Sequence, residues 1–183
     1  MLPLILIVIL SIGFIEGLDP YKGLLFSYYF YTFNKVRQSY LVPVISSLFY
    51  YLLGSLTAVL FSFNNTYLVR IVLFFLLLVH IVIKVIMGKV LHYTGNMKPL
   101  LINVVKWAFI NSVIQMNLIL FIALSYLFKL SFVIIILTTI VIKEVLLILS
   151  VKLNKRIMLI LTNYNFDYIY SLAVLILSII LLL

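Results

Sequence analysis

The chain of 183 residues has no cysteine and very little charge. Without a thiol there is no disulfide, no thiolate metal site and no cysteine nucleophile, and the redox compartment stays open. Charged residues make up 9% of the chain and hydrophobic ones 67%. A soluble domain carries about 25% charge and about half apolar residues. A surface this poor in charge would not stay dissolved, so lipid is the expected solvent, in line with a mean hydropathy of +1.36. The useful count is then membrane spans, not soluble cores. Acids are the scarcest charge: Glu16, Asp19, Glu144 and Asp167 stand against thirteen Lys and Arg, for a net charge of +9. In a soluble protein that balance suggests nucleic acid. In an apolar chain it points to anionic lipid on the cytoplasmic face, and no nucleic-acid partner is expected.

What is present is a series of long apolar runs, at roughly 2–17, 41–62, 67–87, 107–128, 130–151 and 166–183. The middle four have the ~20 residues that cross ~30 Å of hydrocarbon at 1.5 Å per residue. They do not alternate as barrel strands would, and continuous helices satisfy the backbone in lipid. The expected fold is an all-α, polytopic integral membrane bundle of about six transmembrane helices with an interfacial aromatic helix. The whole chain, 1–183, is one transmembrane domain: an extra N-terminal span at 1–18, an interfacial segment at 19–40 and a five-span core at 41–183. The opening "MLPLILIVILSIGFIEG" lacks the basic start of a signal peptide and is read as a retained span. Eleven Lys and Arg fall in the odd-numbered connections or at their edges, against Arg70 and Lys129 on the other side. The positive-inside rule therefore puts both termini on the extracytoplasmic side. In the interfacial segment Tyr28, Tyr29 and Tyr31 stand close to Lys35 and Arg37. Polar-tipped rings suit the headgroup layer and the cations suit anionic lipid.

Polar residues inside the spans carry most of what the sequence says about a site. Lys143 and Glu144 lie side by side in "IIILTTIVIKEVLLILSV", about 100° apart around a helix, so they are poor partners for each other. Counting 1.5 Å per residue from the inner boundary puts Lys143 at ~10 Å, His80 at ~10 Å, Lys84 at ~5 Å, Asn111 at ~6 Å and Gln115 at ~12 Å. His80, Lys84, Asn111, Gln115, Lys143 and Glu144 are thus expected to gather in the cytoplasmic half as an intramembrane polar cluster. Such a cluster either supplies interhelical hydrogen bonds or lines a cytoplasm-facing cavity for a proton, an ion or a small solute. In a cavity His80 is the natural titrating group.

Catalytic chemistry is absent from the sequence pattern. His80 and His92 are ~18 Å apart along one helix and cannot clamp a metal or haem. The four acids are spread along the chain, with no paired-carboxylate spacing, and no nucleophile elbow or phosphate-cradling glycine loop occurs. No catalytic residue, cofactor or metal is expected, and the protein is read as no enzyme.

Three stretches, "DPYKGLLFSYYFYTFNKVRQSYLVPVI", "HIVIKVIMGKVLHYTGNMKPLLINVVKWAFI" and "IVIKEVLLILSVKLNKRIMLIL", together resemble the Yip-type membrane domain. That resemblance implies a five-span core over about 19–183, a cytoplasmic lead-in and a glycine-containing cytoplasmic segment where Gly88 and Gly95 stand here. It also implies a role in membrane trafficking, which eukaryotic members perform with Rab-type GTPases. Their acidic, proline-rich N-terminal region and Asp-Leu-Tyr-Gly-Pro stretch have no counterpart here, so GTPase binding is not carried over. The functional expectation is a non-catalytic membrane-organising protein or an accessory subunit of a membrane complex. Its partners would be the bilayer and either another protein or a second copy. The alternative is a transporter component.

Overall fold

The structure is a computed structural model that describes residues 2–60, 67–87, 98–114, 120, 122, 123, 131–152 and 156–182. Its regular structure is entirely helical among the described residues. In chain order the helices are α1 (Leu2–Leu18), α2 (Leu24–Thr32), α3 (Val36–Leu60), α4 (Tyr67–Met87), α5 (Leu101–Ile114), α6 (Ser131–Lys152), α7 (Arg156–Asn163) and α8 (Phe166–Leu182). A single 3-10 turn, Pro20–Lys22, joins α1 to α2.

Helices α4 and α6 are long and apolar enough to cross a bilayer, and α7 with α8, bent by 59° at their junction, makes a third candidate if taken as one span. Helix α1 is apolar over Pro3–Leu18 but shorter than the ~20 residues a full crossing needs. Of the apolar run 107–128, only the part within α5 and residues 120, 122 and 123 fall among the described residues. Gly88, His92, Gly95, Gln115 and Lys129 lie outside them.

Helix α1 packs on α6 and α8, α3 on α2, α5 and α6, and α4 on α8. The α1–α6 contact is set by Gly13 and Gly17, one helical turn apart. A Cβ at Gly13 would sit 2.9 Å from Thr138 Cβ, and one at Gly17 only 2.6 Å from Ile142 Cβ. Small residues at this spacing let two backbones approach, which is how helices associate where lipid offers no hydrophobic drive. Thr139 uses the closeness to donate a hydrogen bond to the Gly13 carbonyl at 3.2 Å.

The chain then turns inward. Asp19 caps the 3-10 turn by accepting the Tyr21 N–H at 3.0 Å, Pro20 presets the first position, and Gly23 closes it at φ 112°. Helix α2 buries Leu24, Ser27 and Phe30 against the bundle. Tyr28 and Tyr31 are half-buried, while Tyr29 and Arg37 are exposed. Lys35 is half-buried and donates to the Pro99 carbonyl at 2.6 Å. The expected interfacial helix is therefore corrected on one face: Leu24, Ser27 and Phe30 are part of the core, because the Gly23 turn folds α2 back onto α3 and α6.

Candidate functional site: a buried charge cluster

Helix α4 buries one stripe, Leu73, Leu77, His80 and Lys84, and turns it toward α8. Helix α6 buries Ser131, Ile135, Thr139, Lys143, Leu147 and Ser150. The α8 N-terminus supplies Asp167 and Tyr170, its first turn held by Asn165 accepting the Asp167 N–H at 3.2 Å. The α1 end and the turn after it contribute Glu16, Asp19 and Lys22, and α3 contributes Ser47 and Tyr51.

These side chains meet. Glu16 takes the Lys22 ammonium on one carboxylate oxygen and the Tyr51 hydroxyl on the other, each at 2.5 Å. Lys22 also lies 3.8 Å from Asp19 and stands over the Tyr170 ring at 4.6 Å. Lys84 faces the same ring at 5.4 Å and is 3.8 Å from Asp167. The Tyr170 hydroxyl makes a long contact of 3.5 Å with His80 Nε2. Lys143 donates to the Lys22 carbonyl at 2.5 Å and to Ser47 Oγ at 3.0 Å, tying α6 to both the turn and α3.

Glu16, Asp19, Lys22, Lys84, Lys143 and Asp167 are each no more than 3% exposed. Three carboxylates thus face three ammonium groups and the cluster is formally neutral. That balance is what makes burial bearable, because a lone ion in a medium of low dielectric costs several kcal/mol. Asp19 and Lys22 lie between the apolar segments, and their protonation reflects the same competition. Burial pushes the Asp19 carboxyl up to about 6, with Lys22 pulling it down and Glu16 and Asp167 pushing it up. For Lys22 burial works against the charge, but Glu16, then Asp19 and Asp167, hold the ammonium above its ordinary range.

Of the residues singled out from sequence, His80, Lys84 and Lys143 belong to this cluster. Asn111 is buried on α5 and donates to the Trp107 carbonyl at 3.0 Å. Gln115 lies outside the described residues. Glu144 is a correction: it does not join Lys143, because it is one residue off the buried α6 stripe and remains half-exposed. A second correction concerns the acids. Asp167, remote in sequence from Glu16, Asp19 and Lys22, is brought to their cluster and to Lys84 because α8 packs on both α1 and α4. A third concerns Lys22, one of the eleven basic residues counted toward the odd-numbered connections, which is buried in the interior.

Sequence reasoning thus missed Glu16, Asp19, Lys22, Tyr51, Asp167 and Tyr170. The available signal was "GFIEGLDPYKG". It holds a small-xxx-small pair for close helix packing and an Asp-Pro turn closed by glycine, with Glu16 before that turn and Lys22 at its end.

Among the described residues no group of His, Asp and Glu is arranged to hold a metal ion. A groove of about 590 Å³ is lined by Leu10, Ser11, Phe14, Thr138 and Phe166 among others, with no charged residue in its lining. No family model, curated protein or solved structure matches the chain.

Proposed function

We propose that the protein is a multi-pass integral membrane protein of about six spans, with both termini extracytoplasmic and a non-catalytic role. It would organise the membrane or serve as an accessory subunit of a membrane complex, in keeping with the Yip-type resemblance. The observation that carries this reading is the closed charge balance of the cluster. Glu16, Lys22 and Lys143 spend their hydrogen bonds on other parts of the same chain, so the cluster serves to fix α1, α3, α4, α6 and α8 against one another. A site built around these three groups to carry a solute would keep more of their donors and acceptors in reserve for it.

A second reading, a proton path, draws on the run Tyr51, Glu16, Lys22, Tyr170, His80, whose members touch in sequence. Proteoliposomes loaded with a pH-sensitive dye separate the two. The structural reading expects no proton leak above protein-free vesicles. A leak abolished by Glu16→Gln or His80→Ala, with the bundle still folded, would overturn it in favour of the path.

A further inference from the structure

Glu144 is the one acid outside the cluster, and it makes no hydrogen bond or ion pair among the described residues. Around α6, Thr138, Thr139 and Ile142 face α1 and Lys143 faces Ser47 of α3. Glu144 points about 100° further round, away from α1. It stands at the edge of an outward arc formed by Leu137, Val141, Val145 and Ile148. In lipid those aliphatic side chains need no cover, whereas a carboxylate does. Glu144, and not the valines around it, is what marks the arc as an interface.

Helix α5 carries the complement. Val104, Trp107, Ala108 and Asn111 are buried, and Lys106 is exposed on the opposite side between Ile102 and Phe109. Lys106 likewise makes no hydrogen bond or ion pair among the described residues. Both α5 and α6 pack on α3, so α3 serves as a ruler for depth. Val104 clusters with Val42, and Lys143 reaches Ser47, ~7.5 Å further along α3. Lys106 lies ~3 Å above Val104, and Glu144 ~1.5 Å back from Lys143 toward the same end. The two charges, neither paired among the described residues, therefore lie at about the same level, within the reach of a lysine side chain.

We propose that this flank is a self-association surface on which Glu144 of each copy pairs with Lys106 of a second copy. Rotation about an axis along the membrane normal preserves depth. A two-fold pair then brings the acid of one chain opposite the base of the other, twice, as an isologous interface requires. The inference rests on the transbilayer placement of α5 and α6 proposed above and supplies the partner that reading leaves open.

Because the chain has no cysteine, engineered thiols report without background. Two differently tagged chains, one E144C and one K106C, are co-expressed and oxidised in native membranes with copper phenanthroline, which takes up the two thiol electrons as the disulfide forms. A mixed-tag dimer is expected. The pair I7C and K106C, which uses a residue 60% exposed on α1, should give none. In nanodiscs E144K and K106E should each cut the dimer fraction at least tenfold, and the double E144K/K106E should restore it. A membrane-embedded protein that yields no mixed dimer, or whose dimer fraction ignores E144K, overturns the inference while leaving the membrane reading intact. Capture of a different membrane protein through Glu144 overturns it as well. Extraction of the wild-type chain by alkaline carbonate overturns the transbilayer placement itself.

Discussion

Glu16 and Lys22, six residues apart, meet at 2.5 Å inside the bundle, with Tyr51 of α3 holding the second oxygen of the same carboxylate. The pair closes the α1–α2 turn and anchors it to α3. Breaking a buried pair from one side strands the remaining ion, at a cost of about 3–5 kcal/mol. Lys22→Met should therefore lower stability by that order in SDS-titration unfolding of the detergent-solubilised protein. Glu16→Met combined with Lys22→Met should be less damaging than the two single losses added together, with a coupling of about 1–3 kcal/mol. Strict additivity would mean that the two side chains do not hold each other.

Gly17 lies where a Cβ would come within 2.6 Å of Ile142 Cβ. Gly17→Ala should force α1 and α6 apart, costing about 1–3 kcal/mol as overpacking does. Ile142→Ala in the same chain should recover part of that loss, since it clears the atoms the new methyl meets. Thermal unfolding followed by circular dichroism in detergent reads both. An alanine tolerated without loss would show that the contact is looser than the geometry requires.

How much of this could be read from the sequence follows from the kind of signal each feature leaves. Helices α4, α6 and α8 coincide closely with apolar runs, because a long unbroken apolar run is the sequence signal of a helix that could cross a membrane. His80, Lys84 and Lys143 could be aligned by depth because rise per residue is fixed. Depth says nothing about which way a side chain points. Lys143 shares the buried stripe of Ser131, Ile135, Thr139 and Leu147, and Glu144 does not, although the two are neighbours. The partners of Lys143 and Lys84 were illegible for a different reason. Asp167 and the Lys22 carbonyl sit at a helix end and in a turn, where hydropathy treats polar groups as solvated. Only the tertiary contact of α1 with α6 and α8 draws them inside.

Asp19 gives the cluster a pH dependence of defined sign. Its carboxyl is pushed up to about 6 from an ordinary 3.8, burial being the largest cause. Between those values the folded chain holds a proton that the unfolded chain has lost, so this group's contribution to stability falls as pH rises and levels off above about 6. Asp19→Asn keeps an oxygen to accept the Tyr21 N–H and removes the titration. The stability of the variant relative to wild type should rise by about 2.4 kcal/mol between pH ~4 and pH ~7, most of the full swing given 1.36 kcal/mol per pKa unit. A difference that stays flat across that range would show that Asp19 is solvated.

Gly23 combines two separable constraints. Its φ of 112° lies in the region that favours glycine, and a Cβ there would come within 2.5 Å of Ser46 Oγ and 2.8 Å of Ser46 Cβ. Gly23→Ala should therefore pay for both backbone strain, about 1–2 kcal/mol, and a steric clash. Adding Ser46→Gly takes away the clashing atoms and leaves the strain, so the double variant should regain part of the loss but stay below Ser46→Gly alone. The same turn presents the Lys22 carbonyl to Lys143, so a displaced turn should also loosen α6. Hydrogen exchange of α6 amides on either side of Lys143 should rise in Gly23→Ala and return toward wild type in the double variant. If exchange in α6 is unchanged in Gly23→Ala, the turn and Lys143 are not coupled, and the cluster does not act as one lock.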